Sequence, residues 1–128
     1  MKTLLTSGVK IKVTTSYRKD LSEITASQYF FNYRIEISNT NSHSIQLLNR
    51  DWYIFDSLNQ TRYISGSGVI GEQPVLKPGE KYSYMSGCDL TSEIGMMKGF
   101  YTFKNLETDE LFEAFIPTFR LESPAKLN

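Results

Sequence analysis

A strict two-residue alternation near the start of the chain constrains the fold more than any other feature. In residues 9–17 and 29–37 the odd-numbered side chains are apolar or aromatic, with Thr15 as the one exception, and the even-numbered side chains are mostly polar. A period of two places successive side chains on opposite faces of a β-strand. Each segment therefore predicts a strand with one buried face and one wet face.

Five later segments also have the composition of strands, and turn signals separate them. They are residues 45–56, 62–64, 81–86, 97–104 and 111–121. About seven short strands within roughly 110 residues are typical of an immunoglobulin-like or fibronectin-III-like sandwich of two antiparallel sheets. Pro117 predicts an edge strand or a bulge in the last segment. No linker interrupts the pattern, which predicts one all-β domain over residues 1–128, with its core in about residues 9–121.

The charge balance and the cysteine count exclude several classes of protein. Fourteen basic residues balance fourteen acidic residues, whereas nucleic-acid binding draws on an excess of Lys and Arg. The single cysteine, Cys88, rules out an internal disulfide and fits a reducing compartment. No apolar run approaches the roughly 20 residues of a membrane span. We therefore expect a soluble, cytoplasmic protein that binds neither nucleic acid nor membranes.

The segment Gly66–Gly71 has the spacing G-x-G-x-x-G. In a dinucleotide-binding fold these glycines open a helix, but Pro74 and Pro78 follow too soon for a helix to run here. Two interpretations remain. The glycines provide positive φ for a bulged crossing between the sheets, or their amides form a small anion nest with Arg50, Arg62 or Lys77 nearby.

Three other features carry reactive or metal-binding residue types. His43 lies among turn residues, so we expect an exposed imidazole without catalytic partners. Cys88 has no base nearby in the sequence, and we expect a structural role. Glu107, Asp109 and Glu110 form the tip of a predicted hairpin and are expected to be solvated. The sequence therefore predicts no catalytic residue, no metal site and no cofactor.

The aromatic residues divide into two sets by register. One set is predicted to form the core, with Trp52 buried between the sheets; it comprises Tyr29, Phe31, Tyr33, Trp52, Tyr101 and Phe103. The other set points the opposite way and comprises Phe30, Tyr53, Phe55, Phe100, Phe112 and Ile116. Exposed together, such side chains form a binding patch. We expect a mixture of exposed and covered positions.

Charge pairing predicts the register of the first two strands. If residues 9–17 and 29–37 form a hairpin, one pairing places Lys12 opposite Glu36 and Tyr17 opposite Phe31. A shift by two residues places Lys12 opposite Arg34, which like charges disfavour. The first pairing is therefore the prediction.

Several segments together resemble the ApaG family. Residues 47–54, Leu-Leu-Asn-Arg-Asp-Trp-Tyr-Ile, resemble its LLxRxWxI segment, and the resemblance covers nearly the whole chain from Val9. It continues through residues 66–74, 78–80, 84–87, 97–101 and 116–121. The resemblance implies a fibronectin-III-like sandwich and a small bacterial cytosolic protein of undefined activity. It also implies protein binding, because similar domains occur in F-box proteins and in a DNA-polymerase-interacting protein.

Two functions remain open from the sequence. The first is a non-catalytic protein-interaction module with an unidentified partner. The second is a binder of a phosphorylated small molecule or nucleotide, with or without hydrolase activity. The resemblance adds a link to cobalt and magnesium homeostasis, which names a phenotype rather than a site. The candidate binding residues, for an anion or a partner, are Arg50, Gly66, Ser67, Gly68, Gly71 and Gln73.

Overall fold

Nine β-strands account for most of the chain. The computed structural model describes residues 1–124. Its strands are β1 (Lys2–Thr6), β2 (Val9–Tyr17), β3 (Tyr29–Asn39), β4 (Ile45–Asp56), β5 (Arg62–Ser67), β6 (Val75–Leu76), β7 (Lys81–Leu90), β8 (Ile94–Asn105) and β9 (Leu111–Glu122). Two single 3₁₀ turns, Lys19–Leu21 and Ile24–Ala26, lie between β2 and β3. No helix in residues 1–124 has the length and apolar character that a membrane span requires.

The strands form two antiparallel sheets, so the predicted all-β sandwich is confirmed. One sheet has the order β1-β2-β3-β7, and the other has the order β5-β4-β8-β9, with β6 also paired to β4. Strands β1 and β6 were not predicted. The side chains of β1 are almost all exposed and do not alternate, and β6 has only two residues.

The predicted register of β2 and β3 is confirmed. Lys12 lies opposite Glu36, and Tyr17 lies opposite Phe31. The carboxylate of Glu36 also lies 3.5 Å from the ammonium of Lys81 on β7. Opposite charges on three adjacent strands thus support the one register that keeps the odd-numbered side chains in the core.

The core lies between the two sheets and contains every aromatic residue predicted for it. Trp52 is 3% exposed, and its ring contacts Tyr33 of the opposite sheet at a centroid distance of 5.4 Å. Phe119 on β9 lies 5.9 Å from the Trp52 ring at an interplanar angle of 89°. The tryptophan is therefore held edge-on between the two sheets, as predicted.

A bulge in the β8–β9 ladder explains the proline in the last strand. Met97 pairs with Phe119, whereas Gly99 pairs with Ile116, so β9 carries one extra residue here. Both Ile116 and Pro117 are consequently buried. The bulge and the edge position of β9 both match the expectation from Pro117.

The two sheets are joined along one side by β1 and β9. The Ser7 hydroxyl donates to the carbonyl of Glu113 (2.8 Å), and the Phe115 amide donates to the Thr6 hydroxyl (2.8 Å). At the end of β9, Ser123 is buried, and its amide donates to the carbonyl of Glu93 (2.9 Å). Residues 125–128 lie outside the described residues.

Candidate functional site

The glycine-rich segment forms a tight turn beside β4. Gly68, Ile70 and Gly71 have φ angles of 62°, 45° and 76°. The amide of Val69 donates to the carbonyl of Glu72 (2.8 Å), and the amide of Glu72 donates back to that of Val69 (2.9 Å). Ile70 and Gly71 lie between these two hydrogen-bonded residues, and because both are left-handed they form a type I′ turn. We call residues 66–73 the glycine-rich hairpin.

One interpretation of the sequence placed a crossing between the two sheets at the glycines of residues 66–71. That location is wrong. After the glycine-rich hairpin the chain returns along β4, where β6 pairs with Ile45 and Gln46. It reaches the other sheet only after Pro78 and Gly79, where Gly79 has a φ of 83°. The glycines of the hairpin therefore reverse the chain within one sheet.

Arg50 is fixed over the glycine-rich hairpin. It lies opposite Gly66 in the β4–β5 ladder, and its Nη1 donates to the carbonyls of Ser67 (3.0 Å) and Gly68 (2.9 Å). A Cβ at Gly66 would lie 2.8 Å from Nη2 of Arg50. The absence of a side chain at residue 66 thus makes room for the guanidinium.

The guanidinium of Arg50 also acts on three buried tyrosines. The hydroxyls of Tyr84 and Tyr101 share a hydrogen bond, and burial raises the pKa of both phenols well above the ordinary value. Burial also raises the pKa of Tyr33. The positive charge of Arg50 works against all three shifts. Arg50 therefore connects the hairpin to a cluster of neutral hydroxyl groups in the core.

The structure brings the predicted binding residues together but leaves out two suggested neighbours. The side-chain amide of Gln73 donates to the carbonyl of Leu48 (3.0 Å), and the amide of Gly68 donates to the same carbonyl (2.8 Å). Arg62 instead forms an ion pair with Asp89 (3.2 Å) on β7. Lys77 lies in the turn after β6, where its amide donates to Glu80. Arg50 is thus the cation held at this hairpin.

The reactive and acidic residues singled out from the sequence lie on other elements than the hairpin. His43 is half-buried in the β3–β4 connection, so the expected exposure of its imidazole is wrong; its carbonyl accepts a hydrogen bond from the Asn39 side chain (2.9 Å). The carboxylate of Asp109 lies 3.4 Å from the ammonium of Lys104. Within residues 1–124, no three His, Cys, Asp or Glu side chains are grouped so that they could hold a metal ion.

Cys88 is 4% exposed and lies near Arg62, whose Nη2 is 3.8 Å from Sγ. Burial raises the pKa of its thiol from 9.0 to about 11, although the charge of Arg62 opposes that rise. The thiol therefore stays protonated at neutral pH.

We expect Cys88 to react slowly with iodoacetamide in the folded protein. The thiolate is the reactive form, and burial both raises the pKa of the thiol and limits the access of the reagent to it. Alkylation rates are compared by mass spectrometry in buffer and in urea. We expect the native rate to be slower by about 100-fold or more. A native rate within about tenfold of the unfolded rate would contradict this assignment.

Aromatic side chains cover the outer surface of the five-stranded sheet. Tyr53, Tyr63 and Phe115 are 36%, 56% and 47% exposed, and Phe100 is half-buried beside them. Tyr53, Phe100 and Phe115 alternate along their strands with residues of the core. We call this surface the aromatic face, and it comprises Tyr53, Phe55, Tyr63, Lys98, Phe100 and Phe115.

Polar contacts and ring packing hold the aromatic face in place. The Tyr63 hydroxyl donates to the carboxylate of Asp51, which is 7% exposed. The rings of Tyr53 and Tyr63 lie 4.9 Å apart, and the rings of Phe100 and Phe115 lie 6.1 Å apart. These contacts reduce the freedom of the exposed rings before any ligand binds.

A shallow groove of about 340 Å³ runs across the aromatic face. Leu4 of β1 borders it at the side where the two sheets are joined, and Lys98 lines it between Tyr53 and Phe100. The groove therefore has apolar walls and one cation.

The structure confirms that the second aromatic set contains both exposed and covered side chains. Tyr53, Phe55 and Phe100 belong to the aromatic face, whereas Ile116 is only 3% exposed. Phe112 stacks on Phe103 of the core at 5.6 Å. Phe30 faces outward from the other sheet and lies across Gly87, where a Cβ would be 2.6 Å from its ring.

Four residues at or beside this surface were not singled out from the sequence: Leu4, Tyr63, Lys98 and Phe115. The alternation of Lys98 and Phe100 with core residues was the available signal. Placing these side chains on one shared surface requires the strand order β5-β4-β8-β9, which the sequence does not show.

The fold and these two regions define a class and then a family. A two-sheet antiparallel sandwich with a glycine-rich hairpin beside its tryptophan strand places the chain among the small all-β sandwich proteins. Residues 19–105 match the ApaG domain family, and the chain belongs to it. The resemblance seen in the sequence is thereby confirmed.

Relatives and a solved structure agree with this membership. Protein ApaG from Methylorubrum extorquens strain PA1 is 44% identical over 119 residues, which cover 93% of this chain and 91% of the relative. Protein ApaG from Brucella canis is 41% identical and covers 97% and 95%. The crystal structure of the ApaA protein from Bordetella pertussis matches with a TM-score of 0.87 at 38% identity, covering 91% of this chain and 94% of that one.

Proposed function

We propose that this chain is a non-catalytic protein-interaction module that binds its partner through the aromatic face. The observation that carries the proposal is the set of exposed aromatic rings, which are already fixed by contacts within the sheet. Aromatic side chains dominate the energetics of protein interfaces. Rings that are already ordered lose little conformational entropy on binding, so the surface is suited to a protein partner.

Quantitative affinity capture tests this proposal. The bait is the full chain, and the test variant combines Tyr53→Ser with Phe115→Ser. The control is Met85→Ser, which replaces a 51%-exposed side chain on the four-stranded sheet. A partner captured by the wild-type chain and the control should fall by about tenfold or more with the double variant.

Calorimetry with the purified partner should then reproduce the same order of affinities. Circular dichroism of each bait checks that the variants are folded. Undiminished capture by a folded double variant would contradict the proposal.

A second candidate function uses the glycine-rich hairpin to bind a phosphorylated small molecule. The observation that favours it is the guanidinium of Arg50, held within 3.0 Å of the Ser67 and Gly68 carbonyls. An NMR screen with pyrophosphate, nucleotides and Mg²⁺ tests it. Shifts confined to residues 66–71 at sub-millimolar ligand would support it.

Arg50→Lys sharpens this second test, because lysine keeps the charge but loses the planar fork of donors. If an anion uses the fork, its affinity should fall in this variant while the chain remains folded. If the NMR signals of the hairpin do not shift in the screen, the six predicted binding residues have a purely structural role.

A further inference from the structure

The ammonium of Lys98 is the positive charge nearest the centre of the aromatic face. Its Nζ lies 5.9 Å from the ring centroid of Tyr53 and 5.7 Å from that of Phe55. Lys98 is exposed and lines the groove. The two rings attract the cation and hold it beside apolar surface, where it is less hydrated than a freely extended lysine.

No carboxylate within residues 1–124 forms an ion pair with Lys98. The nearby Asp51 carboxylate accepts the Tyr63 hydroxyl, and Glu122 lies 3.1 Å from Nε of Arg120. Glu113 lies opposite Thr102, four residues along β8 from Lys98, which is about 13 Å at the usual rise of a strand. Within the described residues, the groove therefore presents one cation that has no ion-pair partner and lies among aromatic rings.

From this arrangement we infer that the aromatic face binds a protein segment in which a carboxylate lies between apolar side chains, with Lys98 receiving the carboxylate. The inference rests on the proposed function and specifies the chemistry of the partner. The aromatic rings on either side of Lys98 receive the apolar side chains, and charge complementarity selects an acidic segment over a neutral one.

The same charge disfavours the other occupants of this groove. In a symmetric dimer whose two-fold axis passes through the groove at Lys98, the two Lys98 ammonium groups would lie close together, and like charges would repel. An anionic membrane surface is bound by clusters of about four to eight Lys or Arg residues. Two other cations that point outward from this sheet, Lys104 and Arg120, are already paired with Asp109 and Glu122. A partner with a single carboxylate matches the charge that is present.

NMR titration of the labelled full chain with two matched peptides tests the inference. The probes are acetyl-Phe-Glu-Phe-amide and acetyl-Phe-Gln-Phe-amide. Both should shift amide signals around Tyr53, Phe100 and Phe115, and the glutamate peptide should bind about fivefold more tightly or better. Lys98→Met should remove this preference, so that the two peptides bind the variant with equal affinity. Lys10→Met, on the outer face of the other sheet, should retain the preference.

The outcomes separate the inference from the proposed function. If both peptides shift the aromatic face with equal affinity, the inference is wrong and the proposed function stands. If neither peptide shifts the aromatic face, both are wrong. A glutamate preference that survives Lys98→Met also overturns the inference. A preference that disappears in about 1 M salt supports an ion pair independently of any variant.

Discussion

Replacing Trp52 with alanine is expected to lower the free energy of unfolding by about 3–5 kcal/mol. The ring is 3% exposed and packs edge-on against Tyr33 and Phe119, so its loss leaves a cavity between the sheets. Denaturant unfolding followed by circular dichroism measures the change. A loss below about 1 kcal/mol would contradict this packing.

Tyr53→Ala is the matched control, because Tyr53 is adjacent in sequence but lies on the outer surface of the same strand. Its loss is expected to be about 1 kcal/mol, since the ring lies outside the core, is 36% exposed and leaves no closed cavity. Trp52 also reports directly, as the one tryptophan of the chain. A native emission maximum typical of exposed indole would contradict its placement.

Gly68→Ala is expected to cost about 2 kcal/mol or more. Gly68 has a φ of 62°, and a Cβ there would lie 2.0 Å from the carbonyl oxygen of Glu72. The chain would have to shift a backbone group that also accepts a hydrogen bond from Val69. Thermal and denaturant unfolding measure the loss.

Gly71→Ala separates conformational strain from steric clash. Gly71 has a φ of 76°, but a Cβ there would meet no atom within 4 Å. This variant should lose only about 1 kcal/mol, the cost of a left-handed non-glycine residue. Equal losses in the two variants would show that the hairpin shifts to relieve the clash at residue 68.

The strand register was predictable where charge and hydrophobic pattern agreed. In β2 and β3 the alternation specifies the buried face, and the pair Lys12–Glu36 then selects one alignment. Strand β1 has neither signal, because its side chains are mostly exposed and it is positioned by contacts with β2 and β9. Its pairing depends on backbone groups, which a sequence pattern does not display.

The sequence predicts which side chains of a single strand lie on the same face, but it does not predict which strands bring their side chains together in the candidate site. The contact between Arg50 and Gly66 follows from the adjacency of β4 and β5, whereas Arg62 belongs to the other end of β5. The aromatic face combines side chains from four strands, β4 and β5 in one part of the chain and β8 and β9 in another, so alternation alone could not assemble it. The bulge at Ile116 changes the register within β9, and no periodic pattern predicts such a change.

Because β1 and β9 join the two sheets beside the groove, a molecule bound in the groove affects both sheets. Leu4 belongs to one sheet and the other groove residues belong to the second, so a bound molecule contacts both layers of the sandwich. Binding would then oppose the local opening of β1, a strand that has no fully buried side chain. Hydrogen exchange of the β1 amides would slow in the complex, and the N-terminal strand would report occupancy of the groove.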